Sequence, residues 1–357
     1  MTASRRSSFG ASLGASDGSR SPTSQAPHAA EDTGESDGPV REAARNILSE
    51  GFRRCNAGLT LTLEFSRLSL LIPPPVDKLI LAGVTGVIRP GRVTAVMGPS
   101  GAGKTTFLSV LMGTQVKRTG GTLRINGAPG ELSAFGRVLG FVPQEDVMMS
   151  ELTVRENIGH SARVRLPREH WGGARVERFV DAVVEVLGLQ GCADTPTARI
   201  SGGQRKRANI GMELAMAPAA LFLDEPTSGL DATAALTVCN TLRAIADLGI
   251  TVVAVVHQPR AEIFRSFDDL LLLAPGGKTV YAGPQAGALP FFQGLGVAFS
   301  AMGNPADELL DVIAGEQPLA VHAGKLAQAR RAASAETARA PRGRRAPPRS
   351  AHPLTLS

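Results

Sequence analysis

The stretch "RPGRVTAVMGPSGAGKTTFLSVLMG", residues 89–113, leaves a chain few ways to fold. A turn is followed by a β-rich apolar run, then by a loop with glycines at 98, 101 and 103, and then by residues with helical spacing from 104 to 113. A strand, a glycine loop and a helix in direct succession predict the opening unit of an α/β sheet. The loop itself, "GPSGAGKT" (98–105), fits G-x-x-x-x-G-K-[ST]. Gly98, Gly101 and Gly103 allow the backbone to wrap an anion with its N–H groups pointing inward, and the helix start adds partial positive charge. Pro99, Ser100 and Ala102 complete this candidate phosphate cradle, and Thr106 follows it. Lys104 is placed to bridge β- and γ-phosphates, and the Thr105 hydroxyl to take a Mg²⁺ position.

Further strands are expected at "LTLTLEFSRLSLLI" (59–72), "GTLRINGAP" (121–129) and "VLGFVPQEDVM" (138–148). "AALFLDEP" (219–226) and "GITVVAVVHQP" (249–259) are apolar throughout, the pattern of parallel strands covered on both faces, and a helix at about 232–248 links them. "DDLLLLAPGGKTVYAGP" (268–284) enters a Gly-Gly hairpin. Residues 151–199 read as a mostly helical insert, with Val176, Phe179, Val180, Val183, Val184 and Leu187 along one helix face.

The net charge of +6 misleads about partners. The last forty residues carry eight basic side chains against one acid, Glu336, so the rest of the chain is close to neutral and no nucleic-acid partner is expected. Residues 1–45, rich in Ser, Gly, Ala and Pro, bury too little to offset ordering entropy and read as a disordered tail, as does the basic segment 317–357. One domain is expected over 46–316. Cys55, Cys192 and Cys239 follow no metal or disulfide spacing. The longest apolar runs are far below the roughly 18 residues of a membrane helix.

Two more motifs complete a candidate site. "LFLDE" (221–225) ends a strand with two acids, where Asp224 can reach the Mg²⁺ shell and Glu225 can face the γ-phosphate. No N-K-x-D base-reading motif occurs, which argues against a GTPase. "ISGGQRKR" (200–207) sets Ser201, Gly202 and Gly203 before a helix beginning near Gln204, a second anion-binding end. One glycine loop already encloses the phosphates of one nucleotide, so the second end is expected to cap a nucleotide carried by another subunit. Arg205, Lys206 and Arg207 read as a solvated helix face.

Together with "GFVPQEDVM" (140–148), "LTVRENI" (152–158), "ISGGQRKRANIGMEL" (200–214), "LFLDEPTSGLDATAA" (221–235), "VVHQPRAEIFRSFDDLLLL" (255–273) and "NPADELLDVIAG" (304–315), the loop makes the sequence over about 60–315 resemble an ATP-binding cassette nucleotide-binding domain. The resemblance is to the G, or White-like, subfamily, and to its plant and algal members in particular. It implies a P-loop NTPase (RecA-like) α/β core with a mostly parallel sheet, an antiparallel β subdomain and a helical subdomain at about 150–215. It further implies ATP and Mg²⁺ as ligands. Gln144 is then a Mg²⁺ contact and a reporter to the membrane partner. Ser201, Gly202, Gly203 and Gln204 form a signature that closes on the opposite subunit's nucleotide, and Asp231 is an interface residue. Glu225 polarises the attacking water, and His257 holds the γ-phosphate.

The partners so implied are a second nucleotide-binding domain, in a homo- or heterodimer, and a transmembrane domain that holds the chain at the cytoplasmic face of a membrane. The implied work is ATP hydrolysis that powers export of a hydrophobic or lipid-like compound. Three departures stand out. Phe65 lies too early to stack on adenine, and Leu68 is expected in the aromatic's place. The connector 191–203 is several residues shorter than in family examples, and no membrane domain is present in the sequence. A regulatory or truncated half-transporter fragment that binds ATP and hydrolyses little is the alternative.

Overall fold

Glycine and proline punctuation cuts the chain into short elements, and the apolar runs between them become strands. The computed structural model describes residues 38–113, 118–167, 169, 171–300 and 303–315. Helix α1 (Gly38–Asn56) precedes an antiparallel hairpin, β1 (Leu63–Ile72) and β2 (Lys78–Ile88); β3 (Val93–Met97) then runs through the glycine loop into α2 (Lys104–Met112). Next come β4 (Gly120–Ile125), the two-residue β5 (Ala128–Pro129) and β6 (Leu139–Val142). The helices α3 (Val154–Arg165), α4 (Gly173–Val186) and α5 (Gly202–Leu214) follow, then β7 (Ala220–Asp224), α6 (Ala232–Ala246) and β8 (Thr251–Val255). The remainder is α7 (Ala261–Arg265), β9 (Asp269–Ala274), β10 (Lys278–Pro284), α8 (Gln285–Gly294) and α9 (Pro305–Ala314).

Six strands order as β10-β9-β3-β8-β7-β6, parallel throughout except for the β9–β10 hairpin, and β2-β1-β4-β5 make a separate antiparallel sheet. Successive side chains on a strand point to opposite faces, so each continuous apolar strand feeds two cores. Met97, Leu221, Leu223, Val252 and Ala254 join one core with the insert helices and α6. Val96, Phe222, Val253 and Val255 join the other, with α2 and the antiparallel sheet. Each aliphatic side chain so buried contributes about 1.5–3 kcal/mol. The expected mixed α/β architecture is therefore present, and three helices occupy the stretch between β6 and β7.

Residues 38–45 do not belong to the tail expected over 1–45. From Gly38 the chain is helical, and α1 buries Ala44, Leu48, Gly51 and Phe52, a stripe with helical spacing. A Cβ at Gly51 would stand 2.4 Å from the Phe179 ring of α4, and Phe52 meets that ring edge-on at 6.0 Å. Arginines and glutamates between these positions keep the segment polar overall, which hides the stripe from composition. Residues 1–37 and the basic stretch 317–357 lie outside the described residues. Among the described residues, no helix is long and apolar enough to cross a membrane.

Candidate functional site

Open α/β sheets present ligands at the carboxyl ends of their strands. Here four neighbours, β3, β8, β7 and β6, each release a candidate residue at that end: Gly98 after Met97, His257 just past Val255, Asp224 and Glu225 at the end of β7, and Gln144 just past Val142. Ser100, Gly101, Gly103, Lys104, Thr105, Thr106, Glu225 and His257 line one cavity of about 410 Å³.

The loop's geometry requires its glycines. A Cβ at Gly98 would lie 2.3 Å from the Leu273 carbonyl oxygen, and Gly103 has φ +86°. Gly103 caps α2 without a side-chain hydrogen bond, so the first N–H groups of the helix have no side-chain acceptor. Lys104 is buried and turned back on the loop, donating from Nζ to the carbonyls of Gly98 at 2.9 Å and Pro99 at 3.1 Å. Burial pulls its pKa below the ordinary lysine value, against the opposing charges of Glu225 and Asp224. Ala102 is buried beneath the loop.

The Thr105 hydroxyl donates to Asp224 Oδ1 at 3.0 Å. Burial raises the Asp224 pKa, Glu225 adds to that, and the Thr105 hydrogen bond and Lys104 oppose it. Gln144 Nε2 donates to Glu225 Oε2 at 3.1 Å. Glu225 adopts φ +48°, and Gln258, next to His257, φ +43°. Non-glycine residues in this region cost on the order of 1 kcal/mol or more, and two of them mark the ends of adjacent strands. The hydroxyl of Thr105, the carboxylate of Asp224 and the amide oxygen of Gln144 are the hard donors Mg²⁺ takes, one or two at a time beside phosphate oxygens. Among the described residues no group of three or more His, Cys, Asp or Glu could hold a metal ion.

Ser201, Gly202, Gly203, Gln204 and Asp231 are absent from the lining of that cavity. They gather around the start of α5. Ser201 Oγ accepts from Gln204 N at 3.2 Å while Gln204 Oε1 accepts from Ser201 N at 2.9 Å, a complete capping box. A Cβ on Gly203 would come within 2.8 Å of Ala234 Cβ, and Asp231 caps α6 by accepting from Ala234 N at 2.9 Å. The short connector before α5 is held along its length. Arg155 N and Val154 N donate to Ala193 O and Thr195 O, and Thr197 N and Ala198 N donate to Leu152 O and Ser150 O.

Two expectations are corrected. Lys206 is not solvated: it is 3% exposed, pairs with Asp146 Oδ1 at 2.6 Å and donates to Gln144 O at 2.8 Å. Arg207 likewise turns inward to the carbonyls of Leu187 and Gly188, both at 2.8 Å. The available signal was helical spacing, since Lys206 shares a face with the buried Gly203, Ile210 and Leu214. Leu68, in turn, is 1% exposed within the antiparallel subdomain's core, and Phe65 packs on Phe107 at 5.2 Å, so neither offers a face to a nucleotide base.

The family model for "ABC transporter" matches residues 81–228, and that for "ABC-2 type transporter" matches 257–328. ABC transporter G family member 28 of Arabidopsis thaliana is 44% identical over 248 residues, covering 67% of this chain and 22% of that protein. The broad substrate specificity ATP-binding cassette transporter ABCG2 of Mus musculus is 42% identical over 252 residues, 69% of this chain and 38% of that protein. Over its cassette the chain is similar to the nucleotide-binding domain of the G subfamily of ATP-binding cassette transporters. It spans well under half the length of these relatives. CbiO1 of Clostridium perfringens, part of the ABC transporter complex CbiONQ, superposes with TM-score 0.57 over 65% of this chain and 92% of its own, at 24% identity, a likeness of fold. Within the cassette, the part of 257–328 that is described forms α7, β9, β10, α8 and α9, and its strands belong to the cassette's own sheet.

Proposed function

We propose that this cassette is the ATP-hydrolysing motor of a transporter that exports a hydrophobic or lipid-like compound. Two copies, or one copy and a related cassette, close head to tail on two ATP molecules. The observation that carries this reading is the separation of the two helix ends: the loop, Glu225 and His257 share one cavity, while the fully formed Ser201–Gln204 turn takes no part in it.

The Lys104 ammonium, now on the carbonyls of Gly98 and Pro99, exchanges them for β- and γ-phosphate oxygens. Thr105 and Asp224, with Gln144 in reach, would hold Mg²⁺, which would supply charge neutralisation for the phosphates. Glu225 orients the attacking water and Gln144 steadies its carboxylate, while His257 at the cavity wall holds the γ-phosphate. Such chemistry rests on positioning and electrostatics, since phosphoryl transfer leaves little covalent work for protein groups. Ser201, Gly202 and Gly203 complete the partner's site, and Asp231 lies beside that seam. The membrane partner docks where Val147 and Met149 stand 67% and 51% exposed, directly after Gln144, so that the site and the partner share one loop. No nucleic acid takes part.

Glu225→Gln tests the reading. ATP binding is retained, turnover is lost, and ATP-bound dimers accumulate on size exclusion. Hydrolysis equal to wild type would remove Glu225 from its role. Wild-type protein that binds Mg-ATP without any concentration-dependent hydrolysis would favour the regulatory alternative.

A further inference from the structure

The buried Lys206 is not used by the chemistry above, yet its ammonium is held out of water on a largely buried helix. Taking a charge out of water is expensive unless a partner and hydrogen bonds meet it. Here the partners are specific. Nζ reaches Asp146 Oδ1 at 2.6 Å and Gln144 O at 2.8 Å, and Asn209 Nδ2, one turn further along α5, approaches the same Asp146 oxygen at 3.3 Å. α5 therefore grips the segment 144–146 from two successive turns.

Gln144 is held at both ends. Its carbonyl accepts a hydrogen bond from Lys206 Nζ, and its side-chain amide donates to Glu225 Oε2. Lys206 stands one turn after Gly203, so the helix start that faces the partner's nucleotide and the carboxylate that orients water in this chain's own site are joined through Lys206 and Gln144. We propose that Lys206 is a positioning residue that makes hydrolysis in one site depend on ATP docked against the same chain's signature turn. The proposal rests on the motor reading above. When Ser201–Gly203 seats on a partner's phosphates, α5 is fixed, Lys206 fixes Gln144, and Gln144 fixes Glu225. Without the clasp the two sites work independently.

The test uses the full chain and Mg-ATP with Lys206→Met, Asp146→Ala and the double variant. Asp146 is 19% exposed at its side chain and keeps Asn209 nearby, so Lys206→Met leaves a carboxylate that water can reach. Expected for Lys206→Met are single-chain Mg-ATP affinity within about twofold of wild type, kcat down about tenfold to a hundredfold, and a Hill coefficient in ATP falling to 1. In a Glu225→Gln background, ATP-driven dimers should need more protein to form. Asp146→Ala should do the same, and the double variant no worse than either single one.

A helix-stability role alone would lower the melting temperature and leave the Hill coefficient unchanged. Wild-type kcat and cooperativity in Lys206→Met, or effects of the two single variants that add, would overturn the proposal. Should Lys206→Met fail to fold, Asp146→Asn removes the charge pair from its wetter side and is read the same way. If wild type itself shows neither ATP-driven dimers nor hydrolysis, the motor reading is what fails, and the clasp's role falls with it.

Discussion

Two helix starts in this cassette look alike in sequence and differ in physics. Both α2 and α5 follow glycines and both present the positive end of a helix. The start of α2 is capped by Gly103 in a left-handed conformation, with no side-chain acceptor, and has the Lys104 ammonium inside its loop and the Asp224 carboxylate on its next residue. The start of α5 is capped by Ser201 in extended conformation, with its own side chains closing a box, and its buried cation is already engaged by Asp146. A helix end alone gives an anion about 0.3–1 kcal/mol. The first end thus carries the ammonium and the uncapped N–H groups that phosphates need, and in the proposed reading the second adds to a charge brought to it by something else.

Taking away the ammonium should break that contrast most deeply. Lys104→Met is expected to weaken single-chain Mg-ATP binding by roughly a hundredfold, measured by titration calorimetry, whereas variants at the α5 start leave that affinity unchanged. The pH dependence has a definite sign. Lys104 has its folded pKa lowered by burial, and phosphates favour the ammonium, so binding is full below that lowered value and is lost as pH rises through it, starting below the ordinary 10.5. Lys104→Arg, always charged, should lack this alkaline limb. A flat profile in wild type would mean the lysine does not face the phosphates.

Gly202→Asp should come next. The site is exposed, a Cβ there meets only Leu230 Cδ2 at 3.4 Å, and an acid in the first turn favours the helix, so the melting temperature should hold or rise. The same charge repels a partner's phosphates, and concentration-dependent hydrolysis should fall by about tenfold or more. Unchanged hydrolysis would erase the functional half of the comparison. The smallest effect belongs to Ser201→Ala. Losing one cap costs about 1 kcal/mol, which lowers the melting temperature by about 2–4 °C in a domain of this size and leaves single-chain ATP binding intact.

Much of this was open to inspection residue by residue. The loop 98–105, the acids at 224–225 and His257 each follow an apolar run whose strand character is local, and each is found at a strand's carboxyl end. What escaped did so for physical reasons. The apolar stripe of α1 is diluted by charged neighbours. Leu68, which the resemblance puts in the place of an adenine-stacking aromatic, lies where β1 shifts register against β2 and is buried in the core instead. Lys206 looked solvated because charge usually is, and nothing local announces that Asp146 will lie opposite.

By itself, then, the amino-acid order pointed to most of the strands, though not β2, and to the side chains that are candidates for phosphate chemistry, because those properties depend on a residue and its near neighbours. Only the tertiary structure decided the pairings. Thr105 meets Asp224 across 119 residues, Gln144 meets Glu225 across 81, and Lys206 meets the Gln144 carbonyl across 62. Strand order and helix packing bring these groups to within hydrogen-bonding distance, and burial then turns ordinary side chains into a charged, coupled set, which no local signal encodes.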